Sequence, residues 1–405
     1  MSSAASLRLS FAAIDKQLDD LNTSMGMLPT LWAPLSAILG CFCALRQVIL
    51  AEELPTDAPA KSGFCRHSIL QLTDPLAEIR TGSDIPTGGK PLSNAAATVL
   101  IPGWMHEHAR RTLGTQFNLV EIPDCNIHAR LPQDLRASIR GVACRTRIDS
   151  QFIDALPNLE IISSYGLGYD AVDAAYARSK KIIVTNTPDV LNEEVADLTL
   201  GLLVSVVREI PKAHAFVRER RWQTTEYPLS RLTLRNRRVG IYGMGRIGRC
   251  IARRIEAFGL PVAYYSRRPA DGVAYDYFPS LLELAHAVDV LIAIVPGDAS
   301  TVKTVNADVL SALGPEGVFI NVGRGTVVDE EALIGALRTG TIAAAGLDVI
   351  ADEPKVSENM LALENLTILP HIGSASVATR TAMADLLARN LIAWFQSGAA
   401  ITPVP

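Results

Sequence analysis

The sequence predicts an α/β protein that contains two parallel-sheet domains behind a long N-terminal extension. Three observations support this prediction: β-type runs alternate with helical stretches from residue 96, a glycine-rich βαβ unit starts at residue 237, and residues 1–92 show neither pattern. Strands that alternate with helices form parallel sheets. A chain of 405 residues is long enough for two such domains and an appendage.

The composition is that of a soluble globular protein. A hydrophobic content of 48% with 20% charged residues provides an ample core. The net charge of −4 predicts no nucleic-acid surface. The six cysteines are scattered and none forms a C-x-x-C pair, which favours reduced thiols in a cytoplasmic protein and no bound metal.

Residues 1–92 are predicted to be a disordered appendage. The stretch 21–45 has no charged residue, but prolines and polar residues interrupt it, so it falls short of the roughly 18 consecutive apolar residues of a membrane-spanning helix. Asp15 and Asp19 argue against a targeting peptide, and the proline-rich stretch 52–91 is typical of a linker. A membrane-associated helix at 34–50 is the alternative.

The first regular region, 96–189, is predicted to be a small α/β domain. Its β-type runs are separated by helical stretches such as Glu107 to Leu113 and Gln151 to Leu156. The alternation predicts that this region completes one parallel sheet before the glycine-rich unit begins. The runs are Thr98 to Ile101, Asn118 to Ile122, Gly141 to Ala143, Ile161 to Ser164 and Ile182 to Thr185.

A long helix is predicted next, from about Asn192 to Glu209, with Asn192 as its N-cap. Apolar residues lie almost all round this helix, so we expect it to be buried. Gly201 and Ser205 are small and four residues apart, which predicts close packing on another element. The basic stretch 216–222 that follows is a candidate arm onto a partner subunit.

The glycine-rich unit, 237–268, predicts a dinucleotide-binding fold. A β-type run is followed by Gly243, Gly245 and Gly248 in G-x-G-x-x-G spacing, then by a helical stretch and a second β-type run. The first glycine allows a tight turn, the second lets backbone approach a pyrophosphate, and the third lets the helix pack on the strand. The helix N-terminus then offers free N–H groups to the phosphates.

The residues after the second run indicate which dinucleotide binds. NAD-binding units usually carry an acidic residue there for the ribose 2′-hydroxyl, whereas this chain has Ser266, Arg267 and Arg268, with no acid until Asp271. Guanidinium groups form charge-assisted, often bidentate contacts with phosphate. The sequence therefore favours NADP(H), with NAD(H) as the second choice.

Further β-type runs extend the predicted nucleotide-binding sheet, at 288–296, 317–322 and 344–349. In open parallel sheets, ligands lie at the carboxyl ends of the strands. The residues at those ends are therefore candidates for the site: Pro296 for the cofactor, Arg324 between two glycines, Asp348 and His371.

Arg324, Glu353 and His371 form the predicted catalytic set. Reduction of a 2-keto acid requires a cation for the carbonyl and carboxylate groups, and a proton donor. Arg324 supplies the cation, and a histidine such as His371 can give and take a proton near neutral pH. Glu353, just before Pro354, is the candidate carboxylate partner of His371.

From about residue 97 onward, the chain resembles the D-isomer-specific 2-hydroxyacid dehydrogenases, most of all their NADPH-dependent glyoxylate, hydroxypyruvate and hydroxyphenylpyruvate reductases. The resemblance implies reduction of a small 2-keto acid to the D-2-hydroxy acid. The matching motifs occur in order: YGLGYDAVD (165–173), NTPDVLNEEVAD (186–197), GMGRIG (243–248), INVGRGTVVDEEAL (320–333), AGLDVIADEP (345–354) and LPHIGSAS (369–376).

The resemblance also implies a role for each site residue. Arg324 would hold the carbonyl and carboxylate of the keto acid, and the backbone N–H groups of Leu167 and Gly168 would hold the carboxylate. His371 would protonate the carbonyl oxygen, while Glu353 keeps it protonated. The implied cofactor contacts are Asp348 with the nicotinamide carboxamide, and Arg246 and Ile247 over the pyrophosphate.

Two Rossmann-like domains follow from the resemblance. The dinucleotide-binding domain, 190–375, would be inserted into a discontinuous, flavodoxin-like substrate domain, 96–189 and 376–405. A C-terminal helix, about 378–396, would return to the first domain, and closure of the cleft would exclude water. The family is usually dimeric, so a homodimer is expected.

One stretch, GVACRTRID at 141–149, departs from the small residues that close relatives have there. Arg145 and Arg147 would favour a more anionic or larger acid if they face the substrate, but they would have no such effect if they point to solvent. A second class of function also stays open, an NAD(P)H-sensing binding protein or corepressor on the same fold. Turnover of a 2-keto acid would discriminate between the two classes.

Overall fold

The computed structural model describes residues 96–405, so the predictions made for residues 1–92 lie outside the described part of the chain. In its first sheet, five parallel strands pair in the flavodoxin-like order second, first, third, fourth, fifth. Each predicted run in this region is a strand, to within two residues at its ends. The strands are β1 (Thr98–Pro102), β2 (Asn118–Ile122), β3 (Ile139–Cys144), β4 (Ile161–Ser164) and β5 (Ile183–Thr185).

Short helices connect these strands, and polar side chains fix where several of them begin. Asp149 accepts a hydrogen bond from the Phe152 N–H at 3.0 Å, and Asp173 accepts one from the Tyr176 N–H at 3.0 Å. Such N-caps satisfy backbone donors that the first helical turn leaves free. The helices are α1 (Glu107–Gly114), α2 (Ile127–Arg130), α3 (Gln133–Ser138), α4 (Ser150–Asp154) and α5 (Ala174–Ser179).

The second sheet has seven parallel strands and the strand order of a dinucleotide-binding fold. Its strands are β6 (Val239–Tyr242), β7 (Val262–Tyr265), β8 (Asp276–Phe278), β9 (Val290–Ala293), β10 (Val318–Asn321), β11 (Ala344–Leu347) and β12 (Leu366–Ile368). They pair in the order β12-β11-β10-β9-β6-β7-β8. The two edge strands, β8 and β12, were not predicted, because three residues are too few to show an alternating pattern.

The helices around this sheet cover both of its faces. None of the helices in residues 96–405 is long and apolar enough to cross a membrane. They are α6 (Asn192–Val207), α7 (Ile210–Arg218), α8 (Arg246–Ala257), α9 (Leu281–His286), α10 (Ala307–Leu313), α11 (Glu330–Thr339) and α12 (Glu358–Leu361), and the chain ends with α13 (Val377–Ser397).

Helix α6 is mostly buried, as predicted, but two details differ from the sequence analysis. Asn192 is not the N-cap: Leu191 precedes the helix, and the Asn192 side chain donates instead to Asp189 at 3.1 Å. Close packing occurs at Gly346 of β11, where an added Cβ would lie 2.9 Å from α6 side chains. Gly201 itself is exposed, and an added Cβ there would meet no atom of the described residues within 4 Å.

Helix α13 packs against the first sheet. The Ser163 hydroxyl of β4 donates to the Leu387 carbonyl at 3.1 Å, and the rings of Phe117 and Phe395 meet edge to face with centroids 5.5 Å apart. The N-cap of α13, Ser376, also donates to Glu194 of α6 at 3.0 Å. The start of α13 is therefore bonded to the first turn of α6.

Gly248→Ala should destabilise the protein by about 1–3 kcal/mol, the usual effect of overpacking, because a Cβ there would lie 2.0 Å from the Gly243 carbonyl oxygen. Thermal denaturation followed by circular dichroism measures the effect. Gly335→Ala in α11 is the control: an added Cβ meets no described atom within 4 Å, so helix propensity should raise stability by roughly 0.5–1 kcal/mol. Equal melting temperatures for wild type and Gly248→Ala would contradict this packing role.

Candidate active site

Arg324 stands on a rigid loop at the carboxyl end of β10. Asn321, the fully buried last residue of that strand, donates its side-chain amide to the Arg324 carbonyl at 2.9 Å and accepts from the Gly323 N–H at 3.1 Å. Gly325 lies against the backbone of Ile350, where an added Cβ would be 1.9 Å from the carbonyl carbon. These contacts fix the direction in which the Arg324 side chain leaves the loop.

The Arg324 guanidinium reaches across to the loop that follows β4. Its Nε lies 3.3 and 3.4 Å from the two carboxylate oxygens of Asp170, and its Nη2 lies 3.2 Å from Oδ1. It also lies directly over Gly168, where an added Cβ would be 1.5 Å from Nη2. The structure thus brings Arg324 to Gly168, in the loop proposed from sequence to hold the substrate carboxylate.

Asp170, the ion-pair partner of Arg324, is a residue of the candidate site that the sequence analysis missed. It lies inside the recognised YGLGYDAVD motif, but no role was given to it there. The available signal was its charge, since it is the only acidic residue between Gly166 and Val172. A carboxylate this close to the loop expected to bind a carboxylate could have been proposed as a partner for Arg324.

His371 and Glu353 form a hydrogen-bonded pair. Nδ1 of His371 lies 2.8 Å from Oε2 of Glu353, and the other carboxylate oxygen accepts from the Ile350 N–H at 3.3 Å. Both side chains remain partly accessible, at 41% for His371 and 38% for Glu353. The Nε2 edge of the imidazole is therefore the side left for a ligand.

The backbone at His371 is held in an unusual conformation by Asp348. His371 has φ +54°, a left-handed conformation that is uncommon for non-glycine residues and concentrates at functional sites. The Asp348 carboxylate accepts from the N–H groups of Ile372 at 2.7 Å and Gly373 at 2.8 Å, and its carbonyl accepts from the His371 N–H at 2.9 Å. Burial raises the pKa of the Asp348 carboxyl, and these two backbone donors oppose the rise.

The glycine turn after β6 fits a dinucleotide pyrophosphate. Gly243 has φ +112°, which permits the tight turn, and Gly248 lies against the Gly243 carbonyl. Gly245, the N-cap of α8, has no described atom within 4 Å of an added Cβ and makes no side-chain capping bond. The N–H groups at the start of α8 are thus left open for phosphate oxygens.

Residues beside this turn take up positions consistent with a cofactor groove. Ile247 is buried, and the Arg246 Nε pairs with Asp189 Oδ1 at 3.2 Å. Ser266 Oγ donates to the Arg268 carbonyl at 2.7 Å, which folds the loop that carries Arg267.

Both Arg267 and Arg268 are exposed on that loop. The pKa of Asp298 is lowered, chiefly by hydrogen bonds from Ser300 and further by the charge of Arg267. Arg267 is therefore close to the loop that carries Pro296, across the carboxyl ends of β7, β6 and β9. Pro296 is exposed, and its carbonyl accepts from the Thr301 hydroxyl at 2.6 Å.

Comparisons with known proteins agree with this geometry. A model of the NAD binding domain of D-isomer specific 2-hydroxyacid dehydrogenases matches residues 200–373. Glyoxylate/hydroxypyruvate reductase A of Arabidopsis thaliana is 43% identical over 302 residues, which are 74% of this chain and 96% of that protein. The chain belongs to the D-isomer specific 2-hydroxyacid dehydrogenase family.

Two further comparisons support the membership. Hydroxyphenylpyruvate reductase of Plectranthus scutellarioides is 45% identical over 269 residues, which are 66% of this chain and 86% of that protein. The crystal structure of an NADPH-dependent glyoxylate/hydroxypyruvate reductase from Sinorhizobium meliloti, in complex with NADP and malonate, superposes with a TM-score of 0.75. It is 50% identical and covers 76% of this chain and 97% of its own.

The protein is therefore a 2-hydroxyacid dehydrogenase, an NAD(P)-dependent oxidoreductase that acts on 2-keto acids. The predicted family, fold class and enzyme class are confirmed. Within residues 96–405, no cluster of three or more His, Cys, Asp or Glu side chains could hold a metal ion.

Gly168→Ala should lower kcat/KM for a keto acid by roughly tenfold or more, because a Cβ at 1.5 Å from Nη2 would force Arg324 out of its position. Steady-state kinetics measure kcat/KM. A cofactor titration measures the dissociation constant of the cofactor, which should stay within about twofold of the wild-type value. Gly335→Ala is again the matched control. Wild-type kcat/KM in Gly168→Ala would show that substrate binding does not depend on this contact.

Proposed function

We propose that the enzyme uses NADPH to reduce a small 2-keto acid of the glyoxylate, hydroxypyruvate or hydroxyphenylpyruvate type to the D-2-hydroxy acid. The observation that carries the proposal is the His371–Glu353 pair, 2.8 Å apart, at the carboxyl edge of the sheet that also presents Arg324. This arrangement supplies a proton donor and a cation at one crevice, the two groups that carbonyl reduction requires.

Arg324 binds the carboxylate and the carbonyl oxygen of the keto acid in this proposal. Its present partner, Asp170, is itself a carboxylate held by both Nε and Nη2, so the guanidinium is already directed for such a group. The backbone N–H groups of Leu167 and Gly168 complete the carboxylate site. The positive charge of Arg324 also stabilises the negative charge that develops on the carbonyl oxygen during hydride transfer.

His371 donates the proton to that oxygen, and Glu353 accepts its Nδ1–H and stabilises the imidazolium. The bound NADPH supplies the hydride that adds to the carbonyl carbon. In the reverse direction, His371 takes the proton from the hydroxyl group. Asp348 holds the turn at His371, and each of its carboxylate oxygens keeps a second lone pair that can accept from the nicotinamide carboxamide.

The cofactor proposal assigns the pyrophosphate to the turn at Gly243, Gly245 and Gly248, with Arg246 and Ile247 over it. Ser266, Arg267 and Arg268 receive the ribose 2′-phosphate, and Pro296 borders the groove from the other side. Support comes from the exposure of both arginines and from the absence of an acidic side chain between Ser266 and Ala270. An acidic residue there would repel the 2′-phosphate.

The proposed domain boundaries remain 96–189 and 376–405 for the substrate domain and 190–375 for the dinucleotide-binding domain. They are supported by the separation into two sheets and by the packing of α13 on the first of these. The chain passes between the domains twice, at the beginnings of α6 and α13, and Glu194 and Ser376 bond there at 3.0 Å. A rotation of one domain about these crossings would close the cleft.

Turnover tests the proposal directly. Oxidation of NADPH and of NADH is followed with glyoxylate, hydroxypyruvate and 4-hydroxyphenylpyruvate, and NADPH should be preferred. His371→Ala should lower kcat by roughly 10²–10⁴-fold with NADPH affinity retained, the usual effect of losing a general acid, and Arg324→Ala should lower kcat/KM comparably. Binding of NADPH without turnover of any keto acid would point instead to the sensing protein considered from the sequence.

A homodimer is the proposed assembly. Several large apolar side chains stay exposed within one segment, α7 and the residues after it. Single exposed apolar residues are common on protein surfaces, whereas several in one segment indicate an interface. They are Ile210 (48%), Val217 (52%), Trp222 (68%) and Leu229 (96%).

Light scattering should give twice the chain mass, and Leu229→Asp should shift the assembly towards the monomer, because a buried unpaired charge opposes association. Val302→Asp, at an exposed valine in the loop after β9, is the control. A wild-type mass equal to that of one chain would refute the dimer.

A further inference from the structure

A group of aromatic side chains lies at the carboxyl edge of the first sheet. Tyr165, buried at the end of β4, stacks on His106 with centroids 6.1 Å apart and meets Trp104 edge to face at 6.2 Å. Trp104, just past β1, is 57% exposed. These rings form a wall next to the Gly168 loop, where Arg324 lies.

Two arginines rest on this wall. The Arg145 guanidinium carbon lies 5.3 Å from the centre of the Trp104 ring, and that of Arg380 lies 5.9 Å from the centre of the Tyr165 ring. The Tyr165 hydroxyl donates to the Arg380 carbonyl at 2.8 Å, which ties the first turn of α13 to the wall. Planar guanidinium groups stacked on rings are held in place with their N–H edges free.

Neither arginine has a carboxylate within 4 Å among residues 96–405, in contrast to other arginines around them. Arg140 pairs with Glu160, and Arg324 pairs with Asp170. Partial burial lowers the pKa of Arg145, and the positive charge of Arg380 lowers it further, while Tyr165 and Glu353 oppose this shift. The Arg145 guanidinium thus feels the positive charge of Arg380 and the negative charge of Glu353, and the two rings on which the arginines rest have centroids 6.2 Å apart.

Two like charges held together without a shared anion are unfavourable, and an anion between them would relieve the repulsion. We propose that Arg145 and Arg380 form a second anion-binding subsite that receives a carboxylate at the far end of the substrate. The substrate class is then a 2-keto dicarboxylic acid, with its 2-keto acid end on Arg324 and its far carboxylate on the wall. This inference rests on the proposed function and narrows its substrate.

Arg147, the other arginine of the loop, is not part of this subsite. Both arginines are exposed, but Arg147 makes no ion pair and no ring contact within the described residues, whereas Arg145 lies over the Trp104 ring. Of the two arginines singled out in the sequence, the structure therefore favours a substrate role for Arg145 and a solvent-facing position for Arg147.

An aromatic keto acid stacked on Trp104 is the rival explanation for the wall. Arg145 already occupies one face of that ring and presents charge rather than an apolar surface. The wall therefore suits an anionic end better than a phenyl ring. Phenylpyruvate is therefore one of the test substrates, because its turnover measures how well the site accepts an aromatic keto acid.

Matched substrates test the subsite. Oxaloacetate is compared with 2-ketobutyrate, and 2-ketoglutarate with 2-ketovalerate, since each pair shares a chain length but only the first member has a far carboxylate. In at least one pair, wild-type kcat/KM should favour the dicarboxylate by roughly tenfold or more, the scale of a charge-assisted hydrogen bond. Arg145→Gln should remove most of this preference, and Arg145→Lys should keep part of it.

Arg147→Gln is the control, and it should leave the preference and the turnover of 2-ketobutyrate unchanged within about twofold. Binding of the same acids to the enzyme with NADP⁺, measured by calorimetry, gives a readout that needs no turnover. The dissociation constant of the favoured dicarboxylate should rise by roughly tenfold in Arg145→Gln.

The outcomes separate the two proposals. Turnover of glyoxylate and 2-ketobutyrate with no preference for either dicarboxylate, or a preference that Arg145→Gln leaves intact, would overturn the subsite and leave the reductase function standing. A preference for phenylpyruvate that Arg145→Gln increases would also overturn it, in favour of stacking on Trp104. Dicarboxylate binding that depends on Arg145, but without reduction of any keto acid, would support the subsite and refute the function.

Discussion

The common direction of the strands is the constraint on which the site depends. Every strand of both sheets is parallel to its neighbours, so the loops that follow the strands meet at one edge of each sheet. Arg324 and His371 come from such loops of the second sheet, and Gly168 and Arg145 from those of the first. The contact between Arg324 and Asp170 joins the two edges, so the residues proposed for catalysis and those proposed for substrate selection face one crevice.

Most of the fold was predictable because its signals are local. Buried parallel strands appear as short apolar runs, and the glycine turn has a spacing that few other structures require, so the βαβ unit was located within residues 237–268, where β6, α8 and β7 lie. The edge strands β8 and β12 were missed because three half-buried residues show no pattern of their own. The N-cap assigned to Asn192 was wrong because Asp189, which the side chain contacts instead, competes with the backbone.

The residues proposed for the site could be singled out from the sequence, but their contacts could not. Strand ends and motifs singled out Arg324, Glu353 and His371, and the last two are paired as expected. The dependence of the His371 turn on Asp348 could not be anticipated, since it arises from hydrogen bonds between residues 23 and more positions apart in the sequence. The sequence analysis overlooked Asp170, Trp104 and Arg380 for the same reason. Each of them contacts a residue that is distant in the sequence and becomes a neighbour only in the folded chain.

The turn at His371 has a further consequence for how such an enzyme can diversify. Its left-handed backbone is fixed by Asp348, which lies on the neighbouring strand end of the same sheet. The loops that carry Trp104 and Arg145 make no hydrogen bond to that turn within the described chain. Mutations in these loops would therefore leave the backbone hydrogen bonds of the His371 turn intact, so that the loops can vary while the position of the proposed proton donor is inherited unchanged.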